Sequence, residues 1–450
     1  MRANEIASAV SARQTTAREM AEQALARIDA ARDLNAVATI DPERTRAEAD
    51  AVDTRVAAGE TLALAGVPIV VKDNIWVAGW RITQGSRLFA DFTATEDAIA
   101  IARLRRAGAV IVGIGATSEF ACKGVTTSLL FGPTVHPQDP RLTPGGSSGG
   151  PAVAVAAGLV PLAIGTDAGG SSRRPPAHVG VVGFKPSYGA IPYGPGFPEP
   201  FWGISVIAPI AADVGDAELA FEVMRGADPR DPHSFNVPPA DLAKSLRVAF
   251  SPRLGLDVAV DDEVSTGLQQ AIDRLRASGM SIVNSDPIWP AGLAEDAVMP
   301  LQHAGLAALY GDAFRRDSSQ FDPDIAKQIE RGLGLSGTDV GRALEASARI
   351  ARAFASFFME VDVLLAPTVP CVAWPLTQLG PAEIGGRPAS PRAHAVFTPY
   401  ANHAGVPAIS IPCGSNAIGL PFGLQLIAAR GRDRLLLDVA AQAERILAQP

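Results

Sequence analysis

Helical and strand patterns alternate along the whole 450-residue chain, and this alternation limits the fold more than any other feature. Residues 95–117, TEDAIAIARLRRAGAVIVGIGAT, predict a helix, a stop at Gly108 and then a buried strand. The run VPIVV before Lys72 predicts another strand, and VDVLLAPTVP (361–370) and VPAISIPC (406–413) predict two more. Helices and strands that interleave in this way predict an α/β fold around a large sheet.

The first sixty residues are predicted to be helical. Asn4 is a candidate N-cap, and the stretch from Glu5 to Ala31 carries apolar residues at helical spacing. A second helical pattern begins at Pro42 and is stopped by Gly59.

Two further amphipathic helices are predicted at residues 215–229 and 434–449. Proline and glycine are concentrated at 189–204 and 376–392. These two segments are interpreted as long surface loops rather than domain linkers, because the α/β pattern resumes after each of them.

Composition excludes several classes of function. The chain has 39 basic and 47 acidic residues and a formal net charge of −8, so nucleic acid is not an expected partner. The longest apolar run, residues 152–164, is too short to span a membrane, and the charged N-terminus has no signal-peptide core. A cytoplasmic protein without membrane contact is therefore expected. Cys122, Cys371 and Cys413 are odd in number and lack metal-ligand spacing, so neither a disulfide framework nor a metal site is predicted.

Two clusters of glycine and serine lie close together, GGSSGG at 145–150 and GTDAGGSSRRPP at 165–176. A flexible linker does not explain them, because the apolar segment between them favours burial. The first cluster fits the G-x-S-x-G nucleophile elbow, but that elbow needs a strand running directly into the serine. The preceding HPQDPRLTP contains three prolines and is not a central strand. Two turns that return to one region of the fold, as two walls of one active site, fit better.

A nucleophilic serine needs a base, and the six histidines offer no obvious one. A buried lysine can serve, because desolvation disfavours its charged form and lowers its pKa. Lys72 follows an apolar strand that delivers it to the interior. The ordinary alternative is a solvated surface lysine, with Asp73 beside it as a salt-bridge partner.

The segments GGSSGG, GLVPLAIGTDAGGSSRRP and GVVGFKPS, in this order, resemble the signature region of the amidase signature family. LAGVPIVVKDNI resembles the lysine segment of that family, and VDVLLAPTVP and GLPFGLQLI resemble its C-terminal part. The resemblance implies a catalytic triad in which Lys72 is the base, Ser147 a bridging serine in cis peptide geometry and Ser171 the nucleophile. It also implies a mixed, twisted sheet covered by helices on both faces, without metal or organic cofactor.

By the same resemblance the oxyanion hole is formed by backbone N–H groups, those of Ala168, Gly169, Gly170 and Ser171. Glycines suit this role because a backbone that presents several N–H groups to one point needs unusual φ and ψ angles. Asp167 and Arg173 are expected to form a structural ion pair that shapes this loop.

One domain over residues 1–450 is expected. It is divided into an N-terminal helical segment (1–60), a region with the lysine and both Gly/Ser clusters (61–190), and a remainder with substrate-lining loops (191–450). Pocket residues are predicted in the loops at 118–132, 189–204 and 376–400, where the resemblance is weakest, and the candidate substrate contacts are Ala121, Cys122, Thr166 and Trp202. The aromatic residues Trp76, Trp80, Phe201 and Trp202 are interpreted either as the lining of an apolar channel or, slightly preferred, as packing.

The resemblance implies hydrolysis of a C–N bond through an acyl-enzyme, with a small-molecule amide, aryl amide or carbamate as substrate, by a monomer or homodimer. One alternative is the glutaminase subunit of a tRNA-dependent amidotransferase, which requires partner proteins. Another alternative is a non-catalytic scaffold with the same fold.

Overall fold

The computed structural model describes residues 1–240, 246–293 and 296–449. In these residues the strands are β1 (Val37–Thr39), β2 (Pro68–Lys72), β3 (Val110–Gly115), β4 (Thr127–Ser128), β5 (Gly132–Pro133), β6 (Leu162–Asp167), β7 (Val182–Lys185), β8 (Val206–Ala211), β9 (Val248–Phe250), β10 (Ile282–Asn284), β11 (Val363–Pro367), β12 (Glu383–Ile384), β13 (Arg387–Pro388), β14 (Ala408–Ser415) and β15 (Pro421–Ala428).

The α-helices of the described residues are α1 (Ala3–Ser11), α2 (Ala17–Ala30), α3 (Pro42–Ala57), α4 (Ile99–Arg106), α5 (Gly149–Ala156), α6 (Arg174–Val179), α7 (Val214–Met224), α8 (Asp262–Ala277), α9 (Met299–Arg316), α10 (Pro323–Leu333), α11 (Gly337–Phe357), α12 (Pro399–His403) and α13 (Asp433–Leu447). None of them is both long enough and apolar enough to cross a lipid bilayer.

Eleven of the strands form one sheet in the order β1-β3-β2-β6-β8-β7-β14-β15-β11-β9-β10. The sheet is mixed: β2 runs parallel to β3 and β6, whereas β8 and β15 run antiparallel to their neighbours. The predicted α/β domain with a large mixed sheet is confirmed. Strands from all three predicted segments of the domain share this sheet, and the division into segments stays a prediction.

The centre of the sheet positions the two Gly/Ser clusters. Strands β2 and β6 are neighbours and every residue in both is buried, as expected for parallel strands covered on both faces. Helix α5 begins within the first cluster and packs on β2 and β6. Its second residue, Gly150, lies so close to the backbone just after β3 that a Cβ there would clash with Ala116. The second cluster begins within β6, at Gly165, and continues into the turn after this strand. Both clusters therefore meet at the end of β2, where Lys72 lies.

The N-terminal region differs from the prediction of one helix from Glu5 to Ala31. The structure has two helices there, and the first begins at Ala3 with Arg2 rather than Asn4 as its N-cap. The break occurs because Thr16 caps α2: its side chain accepts a hydrogen bond from the Glu19 N–H, and the Glu19 side chain accepts one from the Thr16 N–H.

The other predicted elements are placed more accurately. Strand β2 ends at Lys72 as predicted, and α3 begins at Pro42. Helix α4 begins at Ile99, four residues later than the pattern from Thr95 indicated, because Asp97 is used before the helix to accept a hydrogen bond from the Ala78 N–H.

Candidate active site

Lys72 lies at the carboxyl end of β2 and is fully buried. Its Nζ donates to Ser147 Oγ at 2.8 Å and to Thr166 Oγ1 at 2.9 Å. Burial lowers the pKa of Lys72 to about 7, a change that the charge of Asp167 opposes and that of Arg174 assists. At neutral pH a substantial fraction of this amine is therefore uncharged and able to accept a proton.

Ser147 connects this lysine to Ser171. Its Oγ donates to Ser171 Oγ at 3.0 Å, and its backbone N–H donates to the same oxygen at 3.2 Å. The peptide bond between Gly146 and Ser147 is cis. The structure thus brings the three predicted triad residues into one continuous chain of hydrogen bonds.

The other serines of the two clusters are engaged elsewhere. Ser148 Oγ donates to the Thr166 carbonyl at 3.2 Å, and Ser172 Oγ donates to Asp167 Oδ2 at 2.9 Å. Neither hydroxyl contacts Ser147 or Ser171. Motif position and geometry therefore select the same two serines.

The turn after β6 presents backbone N–H groups beside Ser171. In the described part of the chain, the N–H groups of Ala168, Gly169 and Ser171 donate to no protein acceptor. The Gly170 N–H differs from the prediction, because it donates to Asp167 Oδ1 at 2.7 Å. Three of the four predicted oxyanion donors therefore have no acceptor among the described residues, and their role in an oxyanion hole stays a prediction.

Gly170 itself has a φ of +113°, which side chains rarely adopt, and a Cβ there would lie 2.0 Å from Thr398 Oγ1. The turn therefore requires glycine at this position for both backbone and steric reasons.

The predicted ion pair between Asp167 and Arg173 is confirmed. Arg173 Nε donates to Asp167 Oδ2 at 3.0 Å, and both side chains are fully buried. Burial would raise the pKa of Asp167, but the charge and hydrogen bonds of Arg173 hold this pKa well below its usual range. Arg173 also donates to Gln425 Oε1 and Asn402 Oδ1, both at 2.7 Å. The pair thereby ties the turn after β6 to the C-terminal part of the sheet.

Ser171 opens into a cavity of about 420 Å³. Charged side chains of both signs line it, including Lys123, Arg174, Asp296 and Asp324. A second, smaller cavity of about 80 Å³ is lined mostly by apolar side chains: Phe201, Ile204, Leu293, Val298, Met299, Leu301, Ile350, Val396, Pro399 and Tyr400. Ala168 and Gly169 line both cavities, so the two meet at the turn that presents the free N–H groups.

Two of the four predicted substrate contacts lie in the wall of the larger cavity and two lie outside it. Ala121 and Cys122 line the larger cavity with Ser171. Thr166 does not, because its hydroxyl accepts hydrogen bonds from Lys72 and from Asn74 Nδ2 at 3.0 Å. Trp202 lines neither cavity: it is 49% exposed and its Nε1 donates to the Leu301 carbonyl at 2.6 Å. The structure places Thr166 and Trp202 outside the walls of both cavities, and their contact with substrate stays a prediction.

The aromatic residues mostly pack, as preferred from the sequence. Trp80 is buried in the core, and the Trp76 ring contacts Phe92 and Phe197 with centroids 5.4 and 5.6 Å apart. Phe201 is the exception, since it lines both cavities.

Sequence reasoning missed the residues that hold the site together from a distance. Asn402 and Gln425 contact Arg173 across more than 200 residues of sequence, and no local pattern marks such partners. Arg174 was also missed, although it follows Arg173 directly and lies in the cavity wall. Two adjacent arginines in a sequence do not predict that either side chain is buried, so the burial of Arg174 at the start of α6 had no local signal.

Histidine takes no part in this hydrogen-bond chain. Among the described residues no histidine nitrogen contacts Ser147 or Ser171, although His394 lines the larger cavity. The same residues contain no group of three or more His, Cys, Asp or Glu side chains arranged to hold a metal ion.

The family model described as Amidase matches residues 19–437. A glutamyl-tRNA(Gln) amidotransferase subunit from Deinococcus deserti is 38% identical over 479 residues, covering 99% of this chain and 96% of the relative. The structure of a bacterial aryl acylamidase of the amidase signature family matches with a TM-score of 0.92 at 27% identity, over 99% of this chain and 96% of that one. A chain from a vestigial complex linked to an s-triazine catabolic enzyme matches with a TM-score of 0.89 at 31% identity, over 99% and 98% of the two chains.

The matched range includes β2, both Gly/Ser clusters, and Asn402 and Gln425, which contact Arg173. The similarity thus extends over the fold and over the site rather than over one motif. The chain belongs to the amidase signature family of hydrolytic enzymes.

Proposed function

We propose that this enzyme cleaves an amide C–N bond through an acyl-enzyme on Ser171, with Ser147 as proton relay and Lys72 as base. The observation that carries the proposal is the buried hydrogen-bond chain, 2.8 Å from Lys72 Nζ to Ser147 Oγ and 3.0 Å from there to Ser171 Oγ. A lysine whose pKa is lowered to about 7 is matched to proton transfer at neutral pH.

In the first half-reaction Ser171 Oγ attacks the carbonyl carbon. The Ser171 proton passes to Ser147 Oγ, and the Ser147 proton passes to neutral Lys72. The carbonyl oxygen becomes an oxyanion, which the N–H groups of Ala168, Gly169 and Ser171 are placed to stabilise.

Collapse of this intermediate breaks the C–N bond. An amide anion is a poor leaving group, so the nitrogen must be protonated as it leaves, and Ser147 returns the proton that Lys72 held. Water then attacks the ester on Ser171 by the same relay, which releases the acid and restores the free serine. All protons are conserved within Lys72, Ser147, Ser171 and the substrates.

Two substrate classes are candidates. The amidotransferase relatives favour the glutaminase alternative over the aryl amides and carbamates preferred from the sequence. In that function the chain releases ammonia from glutamine and works with partner proteins. The larger cavity supports this class, because its charged lining of both signs suits the ammonium and carboxylate groups of an amino acid.

The second class, an uncharged amide with an apolar group, is favoured by the smaller cavity. Its lining is mostly apolar, and it adjoins Ala168 and Gly169 at the reacting centre. The similar structure of an aryl acylamidase agrees with this class. A location in the cytoplasm and a monomeric or dimeric state remain predictions for either class.

The experiment treats the purified chain with a serine-reactive fluorophosphonate and locates the adduct by mass spectrometry. We expect it on Ser171; an adduct on Ser147 or Ser148 overturns the assignment. Values of kcat/KM for glutamine, an aryl anilide and an aryl carbamate then separate the substrate classes. A preference for glutamine, or activity only with added amidotransferase partner proteins, supports the glutaminase. A preference for the anilide or carbamate in the isolated chain supports the second class, and no adduct with no turnover supports a non-catalytic scaffold.

A further inference from the structure

Arg174 occupies an unusual place for an arginine. It is the first residue of α6, only 6% exposed, and forms part of the wall of the larger cavity beside Ser171. We propose that Arg174 is a positioning residue: it joins the two Gly/Ser turns through their carbonyl groups and holds a positive charge beside the reacting centre. The proposal rests on the roles proposed above for Ser171, Ser147 and Lys72.

The contacts of Arg174 reach both turns. Its Nη1 donates to the Gly169 carbonyl at 2.5 Å and to Thr398 Oγ1 at 3.2 Å, and its Nη2 donates to the Gly146 carbonyl at 3.3 Å. Thr398 Oγ1 donates to the same Gly169 carbonyl at 2.8 Å. One planar guanidinium therefore fixes the spacing between the turn that carries Ser147 and the turn that carries Ser171.

Holding the Gly169 carbonyl orients the candidate oxyanion turn. The peptide of that carbonyl joins Gly169 to Gly170, in the middle of the turn whose N–H groups at Ala168, Gly169 and Ser171 have no acceptor among the described residues. Glycine backbones have wide conformational freedom, so an external hydrogen bond is an effective means of selecting one conformation. Loss of this bond is expected to misplace N–H donors whose worth depends on their position.

The hydrogen bond from Arg174 to the Gly146 carbonyl affects Ser171 through one peptide group. The nitrogen of that peptide belongs to Ser147, and its N–H donates to Ser171 Oγ at 3.2 Å. A cation at the carbonyl end polarises the peptide and makes its N–H a stronger donor. The Ser171 oxygen gains negative charge as it loses its proton, so this stronger donor stabilises the reactive form.

The hydrogen-bond partners of Arg174 also set it apart from Arg173. Arg173 donates to the Asp167 carboxylate, whereas the partners of Arg174 are the two carbonyls and one hydroxyl. Within the described residues, Arg174 Nε is buried and contacts no acceptor. A buried cation without a bonded carboxylate is costly. That cost is offset during reaction, when negative charge develops beside it.

The positive charge also acts on Lys72. The charged and titratable groups that influence Lys72 are Asp167 from β6, Cys122 from the cavity wall and Arg174 from α6. Asp167 favours the charged ammonium, and Arg174 opposes it. Removal of the Arg174 charge is therefore expected to keep Lys72 protonated to higher pH.

The test uses the full chain with Arg174→Met, Arg174→Lys and the control Arg103→Met. Arg103 is a matched control because its Nη1 also donates to backbone carbonyls, those of Met224, Arg225 and Gly226, none of which belongs to the site. For each variant we measure kcat and KM with the substrate that the native chain prefers among glutamine, the aryl anilide and the aryl carbamate. We also measure the rate of fluorophosphonate labelling of Ser171 from about pH 5.5 to 9 and the thermal unfolding midpoint.

For Arg174→Met we expect kcat and the labelling rate to fall about 100-fold. We expect KM to change less than about threefold and the rise of rate with pH to move to higher pH. Arg174→Lys restores the charge but cannot reach both carbonyls at once, so its pH midpoint stays near that of the native enzyme while its kcat remains reduced. Arg103→Met lowers the unfolding midpoint and leaves kcat and the pH midpoint unchanged.

A native kcat and pH midpoint in Arg174→Met overturn the proposal, as does an effect on KM alone, which would make Arg174 a substrate contact. If Arg174→Met does not fold, Arg174→Lys decides, because native kcat in a folded Arg174→Lys refutes the joining of the two turns. A failure of the proposed function is seen separately, as absence of a Ser171 adduct in the native enzyme.

Discussion

Lys72 and Lys185 make an instructive pair. Each is the last residue of a strand in the same sheet, β2 for one and β7 for the other, and each is fully buried. Burial lowers the pKa of both to about 7. By burial and pKa alone the two lysines are equally good candidates for a base.

Their hydrogen-bond partners separate them. Lys72 Nζ contacts two hydroxyl groups, whereas Lys185 Nζ donates to the Pro186 carbonyl at 2.8 Å. A hydroxyl both donates and accepts, so Ser147 can pass a proton to neutral Lys72; a carbonyl only accepts and has no proton to give. A lowered pKa thus marks a buried lysine, and the partner decides whether it can act as a base.

The largest expected effect comes from Ser171, the nucleophile at the far end of the relay that begins at Lys72 and has no counterpart at Lys185. Ser171→Ala should lower kcat by at least about 10⁴-fold, because the nucleophile is removed while binding and the backbone donors remain. The matched control is Ser148→Ala, which removes from the neighbouring turn a buried hydroxyl that donates to the Thr166 carbonyl. Comparable losses of activity in the two folded variants would contradict the choice of Ser171.

The two lysines themselves give the next effect. Lys72→Met should lower kcat by about 10³-fold, within the range for loss of a general base, with the fold retained. Lys185→Met should lower kcat by less than about threefold, because Lys185 contacts no group of the relay. Steady-state kinetics with thermal unfolding of each variant checks this. A folded Lys185→Met with activity as low as that of Lys72→Met would break the comparison.

The pH profile assigns the titration to one of the two. Only neutral Lys72 accepts a proton, so the rate of Ser171 labelling should rise with pH to a midpoint near 7, the value to which burial lowers its pKa. Lys185→Met should keep this midpoint. A profile that is flat from about pH 6 to 9 in the native enzyme would contradict a titrating lysine base, and loss of the rise in Lys185→Met would assign it to Lys185.

The same pair shows what sequence could and could not predict. Both lysines follow apolar runs, VPIVV and GVVGF, and the local pattern does not distinguish them. The resemblance to amidase signature enzymes is what distinguishes Lys72, Ser147 and Ser171. In the structure these three side chains form one chain of hydrogen bonds. Alternation of helix and strand patterns was enough for the fold class, because it reflects burial of each element against the sheet.

Other details depend on contacts that no local pattern encodes. Trp202 is an aromatic residue in a predicted substrate loop, and its contact with substrate stays a prediction; the hydrogen bond from its indole N–H to the Leu301 carbonyl could not be predicted from that loop. Arg173 was predicted to pair with the nearby Asp167, while its contacts to Asn402 and Gln425 required the folded sheet. The motif implies an oxyanion role for the Gly170 N–H, but only the folded turn shows that Asp167 accepts its hydrogen bond.

The smallest expected effect concerns Thr166, whose hydroxyl is the second acceptor for Lys72 Nζ. This hydrogen bond also differs from that of Lys185, whose Nζ donates to a carbonyl. Thr166→Val removes an oxygen that accepts from Lys72 Nζ at 2.9 Å and keeps the shape of the side chain. One such hydrogen bond contributes about 1 kcal/mol, so kcat should fall about fivefold. The lost acceptor stabilised the charged amine, so the pH midpoint should move slightly lower.

Thr45→Val is the control for Thr166→Val, because Thr45 is also buried and its Oγ1 donates to the Ile111 carbonyl at 2.9 Å, outside the relay. It should lower the free energy of unfolding by about 1 kcal/mol and leave the pH midpoint in place. If Thr166→Val instead raises KM with kcat and pH midpoint unchanged, Thr166 contacts substrate, as the sequence suggested. In that case the hydrogen bond between Thr166 and Lys72 does not contribute to the reaction. The hydrogen bond to Ser147 is then what distinguishes Lys72 from Lys185 as a base.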